Sequence, residues 1–369
     1  MQRVVKIYEI EDLAESVSKI ERIPHLRVVL TPFCNMKCTY CRPGGEGYYK
    51  KDTTTIDTPT LIDLLGFCGE AGFKDIKFTG GEPMQRKDLE YIITQVSSMN
   101  HFENIEMVTN AYYLPGKVRA LKNAGLTSLS ISLDTYSKER FKQITKVDGF
   151  ERVISSIREA VNEELPTRIN AVITKYNLDD VPKLVDISES LGVVLKLIDT
   201  MDILMEDDKW KDYNGSDWVP LAEVDKMLSD RIKNTYYTLP IGGLGTPMRT
   251  LELNTGGTVM LRDATVGTNY NPEICGNCRL YPCQDALISA RLTHDGQLKT
   301  CLVRNDNLID LMESYRKGDI DRTKQLISST FDLLAHAQYE PNRWEPKDNG
   351  ETHGKNPKGS TRIYEGRGV

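Results

Sequence analysis

Three cysteines stand at Cys34, Cys38 and Cys41 in TPFCNMKCTYCRPGG, a C-x3-C-x2-C spacing in a loop that follows directly on an apolar stretch. A closed [4Fe–4S] cube takes four thiolates, so three of them bind three irons and leave the fourth iron open to another ligand. A structural zinc would want a fourth protein ligand nearby, and the local sequence offers none. Four more cysteines, Cys275, Cys278, Cys283 and Cys301, lie within ICGNCRLYPCQDALISARLTHDGQLKTC. Four thiolates suit a zinc ion and a second [4Fe–4S] cluster equally well, and the first set tips the expectation towards the cluster. The eighth cysteine, Cys68, recurs at helical spacing with Leu61, Leu64, Leu65 and Ala71, which predicts a buried helix residue. Between the two sets, TGGEP places Gly80, Gly81, Glu82 and Pro83 after a strand-like stretch. Adjacent glycines let backbone approach a ligand, and a carboxylate suits an ammonium group.

The elements that must position these groups alternate along the chain. Strands are predicted over 26–32, 74–80, 104–110, 128–134, 167–175 and 193–199, with helices over 58–71, 88–99, 115–124, 137–144, 150–164 and 178–191. Thr58 and Pro59 read as the N-cap and first residue of the first of these helices; Gly125 and Gly192 read as helix stops. Such alternation implies parallel βαβ units. The expected fold is therefore α/β, a partial (β/α)6 barrel with its ligands at the carboxyl ends of the strands. A smaller α+β domain carrying the second cysteine set follows. The expected divisions are an N-terminal extension over 1–24, the barrel over 25–200, the second domain over 201–335 and a mobile polar tail over 336–369. A polar loop or lid is expected over 205–218.

Composition narrows the function classes. A formal net charge of −6 argues against nucleic-acid binding through a general basic surface, while leaving room for a local basic pocket. No run of about 18 apolar residues and no apolar leader is present, so no membrane span is expected and a cytoplasmic location is. Thiols in a reducing compartment point to metal rather than disulfides.

The C-x3-C-x2-C loop followed by GGEP at a strand end resembles the radical SAM (S-adenosylmethionine) superfamily. The resemblance implies that the open iron of the first cluster binds the methionine end of SAM, with Gly80, Gly81, Glu82 and Pro83 holding its amino group. Thr109 and Ser132 match polar strand-end positions that contact SAM, and Tyr40 matches an aromatic residue near its adenine. It further implies reductive cleavage of SAM to a 5′-deoxyadenosyl radical, hydrogen abstraction from a substrate, and an electron donor such as flavodoxin or ferredoxin.

Three segments, LRVVLTPFCNMKCTYC, GGEPMQRKDL and RLTHDGQLKTCL, are similar to the GTP 3′,8-cyclase group within that superfamily. The likeness implies that Arg27, Arg86, Lys175 and Arg291 surround an anionic substrate. It also implies a second cluster with three cysteine ligands and an open iron that contacts the guanine. Three departures stand against GTP itself: Cys283 is additional, Ser289 replaces an arginine, and the sequence ends Arg-Gly-Val where the group ends Gly-Gly. The resulting expectation is a radical SAM enzyme acting on a different small phosphorylated, sugar or nucleotide-type substrate. A peptide-modifying maturase is the alternative, weakened because only about 24 residues precede the barrel, too few for a peptide-binding domain. A non-catalytic iron–sulfur or zinc protein is the other.

Overall fold

A computed structural model describes residues 4–20, 23–41, 54–200, 217–240, 247–278, 281, 283, 287 and 289–341. The expected lid lies outside these residues up to 216, and the expected tail from 342 onward. The first strand, β1 (Val4–Ile7), falls in the N-terminal extension, where only a short helix was expected; that helix is present too, over Leu13–Ser18. The six expected barrel strands follow as β2 (His25–Val29), β3 (Asp75–Thr79), β4 (Asn104–Thr109), β5 (Ser128–Ser132), β6 (Thr167–Ile173) and β7 (Val194–Asp199). Then come β8 (Ile232–Pro240), β9 (Met248–Leu253), β10 (Thr258–Arg262), β11 (Thr268–Tyr270), β12 (Ser289–Leu292), β13 (Gln297–Lys299), β14 (Leu308–Asp310) and β15 (Gln338–Glu340).

Neighbours from β2 through β7 run parallel in sequence order. The later strands do not form a separate large sheet. β10 joins β7 in parallel and β12 joins β2 in parallel, so the last third of the chain extends the barrel sheet at both edges. Antiparallel strands finish it: β9, β8 and β1 beyond β10, and β13 and β14 beyond β12, giving 13 strands in one sheet curled as a partial barrel. β11 and β15 pair separately.

Local chemistry sets the helix ends. The helix Thr58–Glu70 starts one residue earlier than its Thr-Pro pair suggested: Asp57 is the N-cap, and its carboxylate accepts the Thr60 amide at 2.8 Å. Gly125 and Gly192 close their helices in the left-handed region, where a side chain would be strained. Alternate strand residues, among them Leu26, Val28, Ile76, Phe78, Met107 and Leu197, pack into one core with the surrounding helices. Fully burying one such side chain contributes about 1.5–3 kcal/mol. Cys68 belongs to that core, as its helical spacing predicted. The intervening strand residues point to the opposite, concave face.

Candidate active site

The cysteine loop is held by the turn after β3. Beyond the last residues of β2 and β3, Gly81 donates its amide to Thr31 O at 2.7 Å and Glu82 to Phe33 O at 2.8 Å. A Cβ at Gly81 would lie 2.0 Å from the Phe33 carbonyl oxygen, and one at Gly80 would lie 2.5 Å from that of Thr31. Two adjacent glycines are thus what lets the loop lie directly on the turn. Further along, the Lys37 and Thr39 amides reach Thr145 O and Ile144 O at the end of the helix Lys138–Thr145, where carbonyls lack intrahelical partners. Pro83 starts a short 3-10 turn.

Glu82 is buried and fully engaged. Its Oε1 accepts Thr109 Oγ1 at 2.6 Å and the Met84 amide at 3.0 Å; its Oε2 accepts the Asn110 amide at 2.8 Å. Burial pushes this carboxyl up to about 6 against those three donors. Thr109, one of the expected SAM contacts, is itself buried by this bond. Ser132 ends β5, half-buried. Tyr40 donates its hydroxyl to Asp134 Oδ2 at 2.6 Å, and Asp134 Oδ1 accepts the Val172 amide at 2.9 Å. Burial pushes the Asp134 carboxyl up to about 6.

The three thiols sit at the carboxyl end of β2, with Cys34 and Cys41 exposed and Cys38 half-buried. Burial raises the Cys34 and Cys38 thiols above their ordinary range, so an uncompensated thiolate is disfavoured there. The Met36 amide at 3.4 Å and Asn110 Nδ2 at 3.6 Å both donate to Cys34 Sγ, the kind of outer bond that orients a metal-bound thiolate. Accessible thiols on one short loop, with donors aimed at a sulfur, fit a cluster-binding site.

The concave face is densely charged. Arg27 on β2 is the register partner of Lys77 on β3, which in turn is opposite Glu106 on β4; on the other side Arg27 is opposite Arg291 on β12. Lys77 Nζ stands 3.0 Å from Glu106 Oε2. Arg168 on β6 donates to Ser130 Oγ at 2.6 Å and pairs with the same Glu106 carboxylate. Burial and the neighbouring Arg168 and Arg27 push the Lys77 ammonium down to about 8, although Glu106 opposes this. Lys196 on β7 is held well below the ordinary lysine range, first by burial and then by Arg168, Lys77, Arg262 and Arg27. Arg262 lies 3.3 Å from Asp199. These cations outnumber the carboxylates among them, and an anion would relieve their mutual repulsion.

Of the four expected substrate contacts, the structure brings Arg27 and Arg291 together here. Arg86 lies apart, in a backbone clamp: it donates to Leu30 O and Ile56 O, both at 3.3 Å, and pairs with Asp88 at 2.9 Å. Lys175 pairs with Asp217 at 3.0 Å and lies over the Tyr176 ring. Lys77, Arg168, Lys196 and Arg262 were not anticipated. The signal for the first three was strand alternation: KDIKFT, TRINAV and VVLKLID each set one cation between apolar neighbours on a strand, and Arg262 likewise ends TVMLR.

The second cysteine set converges. Cys275, Cys278, Cys283 and Cys301 line one cavity of about 330 Å³, counting its open mouth, with Ile274 and Leu287 as apolar wall. Arg304 borders it, donating to Ile274 O at 2.7 Å and to Asp306 at 2.6 and 2.7 Å. Among the described residues, no group of three or more His, Cys, Asp and Glu side chains is arranged to hold a single metal ion.

Comparison with known proteins agrees with this geometry. Residues 28–187 match the radical SAM superfamily. The chain is 32% identical over 310 residues to the probable GTP 3′,8-cyclase of Metallosphaera sedula, covering 82% of this chain and 87% of that protein. It is 30% identical over 325 residues to the probable GTP 3′,8-cyclase of Saccharolobus solfataricus, covering 86% and 95%. In fold it is similar to Streptococcus suis SuiB bound to S-adenosylmethionine, with a TM-score of 0.57 and 15% identity over 82% of this chain and 66% of that one. It is likewise similar to anSMEcpe with bound AdoMet, with a TM-score of 0.51 and 15% identity over 76% and 75%.

Proposed function

The chain belongs to the radical SAM superfamily, and from that premise we propose that it acts on a small, phosphorylated or nucleotide-type substrate held on the concave face of the barrel. A [4Fe–4S] cluster with SAM supplies reductive cleavage of the sulfonium and a hydrogen-abstracting 5′-deoxyadenosyl radical. The residues of this chain do the rest. Cys34, Cys38 and Cys41 hold the cluster, and the Gly80–Pro83 turn fixes their loop. Tyr40, Gly80, Gly81 and the β4 and β5 ends at Thr109 and Ser132 border the SAM position. Glu82 ties β3 to β4 through three donors and, with Gly80, Gly81 and Pro83, borders the amino group of SAM.

The observation that carries the substrate class is the clustering of Arg27, Lys77, Arg168, Lys196, Arg262 and Arg291 on one face. Guanidinium forks match phosphate oxygens bidentately, and lysines add point charge. Arg86 and Lys175 act at a distance: Arg86 by pinning the loop after β2, Lys175 through Asp217. Residues 25–200 carry SAM and residues 201–335 carry the second cysteine set, which we assign to a second [4Fe–4S] cluster; four thiols around one cavity support this. The electron donor is of the flavodoxin or ferredoxin class.

GTP cyclisation is the second reading, favoured by the names of the relatives. Against it stand Ser289, which puts a small buried hydroxyl beside Arg291 where the resemblance expects an arginine, and the extra Cys283. The test is incubation of reconstituted enzyme with SAM, a reductant and either GTP or a panel of phosphorylated sugars and nucleotides. A panel member should raise 5′-deoxyadenosine above the substrate-free rate, and GTP should give no 3′,8-cyclised product. Appearance of that product would establish the cyclase reading instead.

A further inference from the structure

We propose that Cys283 is the fourth ligand of the second cluster, so that all four irons are bound by protein thiolates and none is open to substrate. This rests on the reading that the second cysteine set holds a [4Fe–4S] cluster. A cubane takes four ligands, and three protein thiolates leave one iron for an outside molecule. Here the cavity wall already provides the fourth. Cys275 ends the short helix Pro272–Cys275, Cys278 follows on the next turn, and Cys301 comes directly after β13 and its turn residue Thr300. Cys283, five residues after Cys278, lines the same cavity.

The surroundings suit a closed cluster. Ile274 and Leu287 give the cavity one apolar side, and Asn269, Arg304 and Tyr281, whose hydroxyl donates to Glu340, complete the lining around the four thiols. Arg304 is held by Ile274 O and by both oxygens of Asp306, and it lines the same cavity, so one positioned cation stands beside the thiols. A cube with four thiolates carries one more negative charge than a cube with three, and one positioned arginine partly offsets it.

The consequence is a division of labour. Substrate recognition falls to side chains of the concave face alone, and the second cluster keeps one fixed coordination through turnover.

The experiment uses the full-length chain with Cys34→Ala, Cys38→Ala and Cys41→Ala, reconstituted anaerobically, so that the second cluster alone remains. About four irons per chain are expected. Oxidation with a single equivalent of ferricyanide should then give little EPR-active [3Fe–4S] form, because an iron that lacks a protein thiolate is lost far more readily than one held by cysteine. Adding Cys283→Ala should make that signal large on oxidation. A large [3Fe–4S] signal already present with Cys283 intact overturns the proposal, as does Cys283→Ala leaving the resistance unchanged. A second measurement needs no further mutation: the EPR line shape of the reduced cluster should be the same with and without added imidazole or GTP, and a change overturns a closed cluster. Absence of iron from the background variant, or stoichiometric zinc in its place, would instead remove the second cluster itself.

Discussion

Tyr40 sits between two cysteines of the first loop and donates its hydroxyl to Asp134 Oδ2 at 2.6 Å, across 94 residues of sequence. The bond ties the loop after β2 to the segment after β5, on the far side of β3 and β4. Asp134 in turn accepts the Val172 amide at 2.9 Å, so one buried carboxylate links three parts of the barrel mouth. An unpaired carboxylate at that depth would be expensive, which makes the tyrosine hydroxyl a structural requirement.

Tyr40→Phe keeps the ring and removes the bond. Losing a hydrogen bond to a charged acceptor should destabilise the mouth by about 1.5–3 kcal/mol. SAM cleavage should fall without vanishing, whereas Cys38→Ala should abolish it. Iron per chain, melting temperature and 5′-deoxyadenosine yield read the difference. If Tyr40→Phe matches the unaltered protein in all three, the bond does not hold the loop.

Gly81→Ala probes the same loop from the other side. Its Cβ would meet the Phe33 carbonyl oxygen at 2.0 Å and the Cys34 amide nitrogen at 2.9 Å, both backbone atoms that cannot rotate away. The loop must shift, and iron at the first site should drop towards zero. Gly66→Ala is the control: that helical glycine has nothing within 4 Å of its Cβ position. Alanine there should be neutral or stabilising by about 0.5–1 kcal/mol. Equal iron contents for the two variants would show that the close approach is unimportant.

What the sequence revealed follows the range of the interactions. The C-x3-C-x2-C spacing, the GGEP turn and the βα rhythm depend on neighbours a few residues apart and are visible in the sequence, whereas Cys301 joins Cys283 in one cavity across 18 residues. The joining of β10 to β7 and of β12 to β2 depends on pairings across 60 or more residues, and no local pattern announces it. The cations were partly hidden for a related reason. A lysine between apolar strand residues reads as the solvent side of a sheet, and only the curl of the sheet turns that side inward at Lys77 and Lys196. Arg86 lies past the end of β3, where its guanidinium meets backbone carbonyls.

Lys196→Ala and Arg291→Ala test the anion site. Each removes one basic side chain from the concave face. Affinity for an oligophosphate should fall about ten- to a hundredfold, the loss of one charge-assisted contact of roughly 1.5–3 kcal/mol. Substrate-free SAM cleavage should change little. Unaltered phosphate affinity in both variants would reduce the cluster of cations to a feature of the fold.

Lys77 gives that site a pH dependence whose sign can be worked out. Its ammonium is pushed down to about 8 from an ordinary 10.5, first by burial and then by Arg168 and Arg27. Between those two values the unfolded chain holds a proton that the folded chain has released. The cost to folding is therefore full below about pH 8 and is relieved as pH rises from there towards 10.5. Anion binding runs the other way. Below about pH 8 Lys77 is charged and attracts phosphate; above it the charge is lost while Glu106 stays ionised, its own range lowered by Arg168 and Lys77 against the effect of burial. Tripolyphosphate affinity in the unaltered protein should accordingly weaken between pH 7.5 and pH 9.5 by about tenfold. A bound anion itself favours the ammonium, so the fall begins somewhat above the value for the free protein. Lys77→Arg separates this from ionisation of the ligand, because a guanidinium keeps its charge throughout that range. Calorimetric titrations of both proteins across the range make the comparison. The arginine variant should hold its affinity where the lysine protein loses it. Superimposable profiles would mean that Lys77 does not face the anion, and that its role ends at the Glu106 pair.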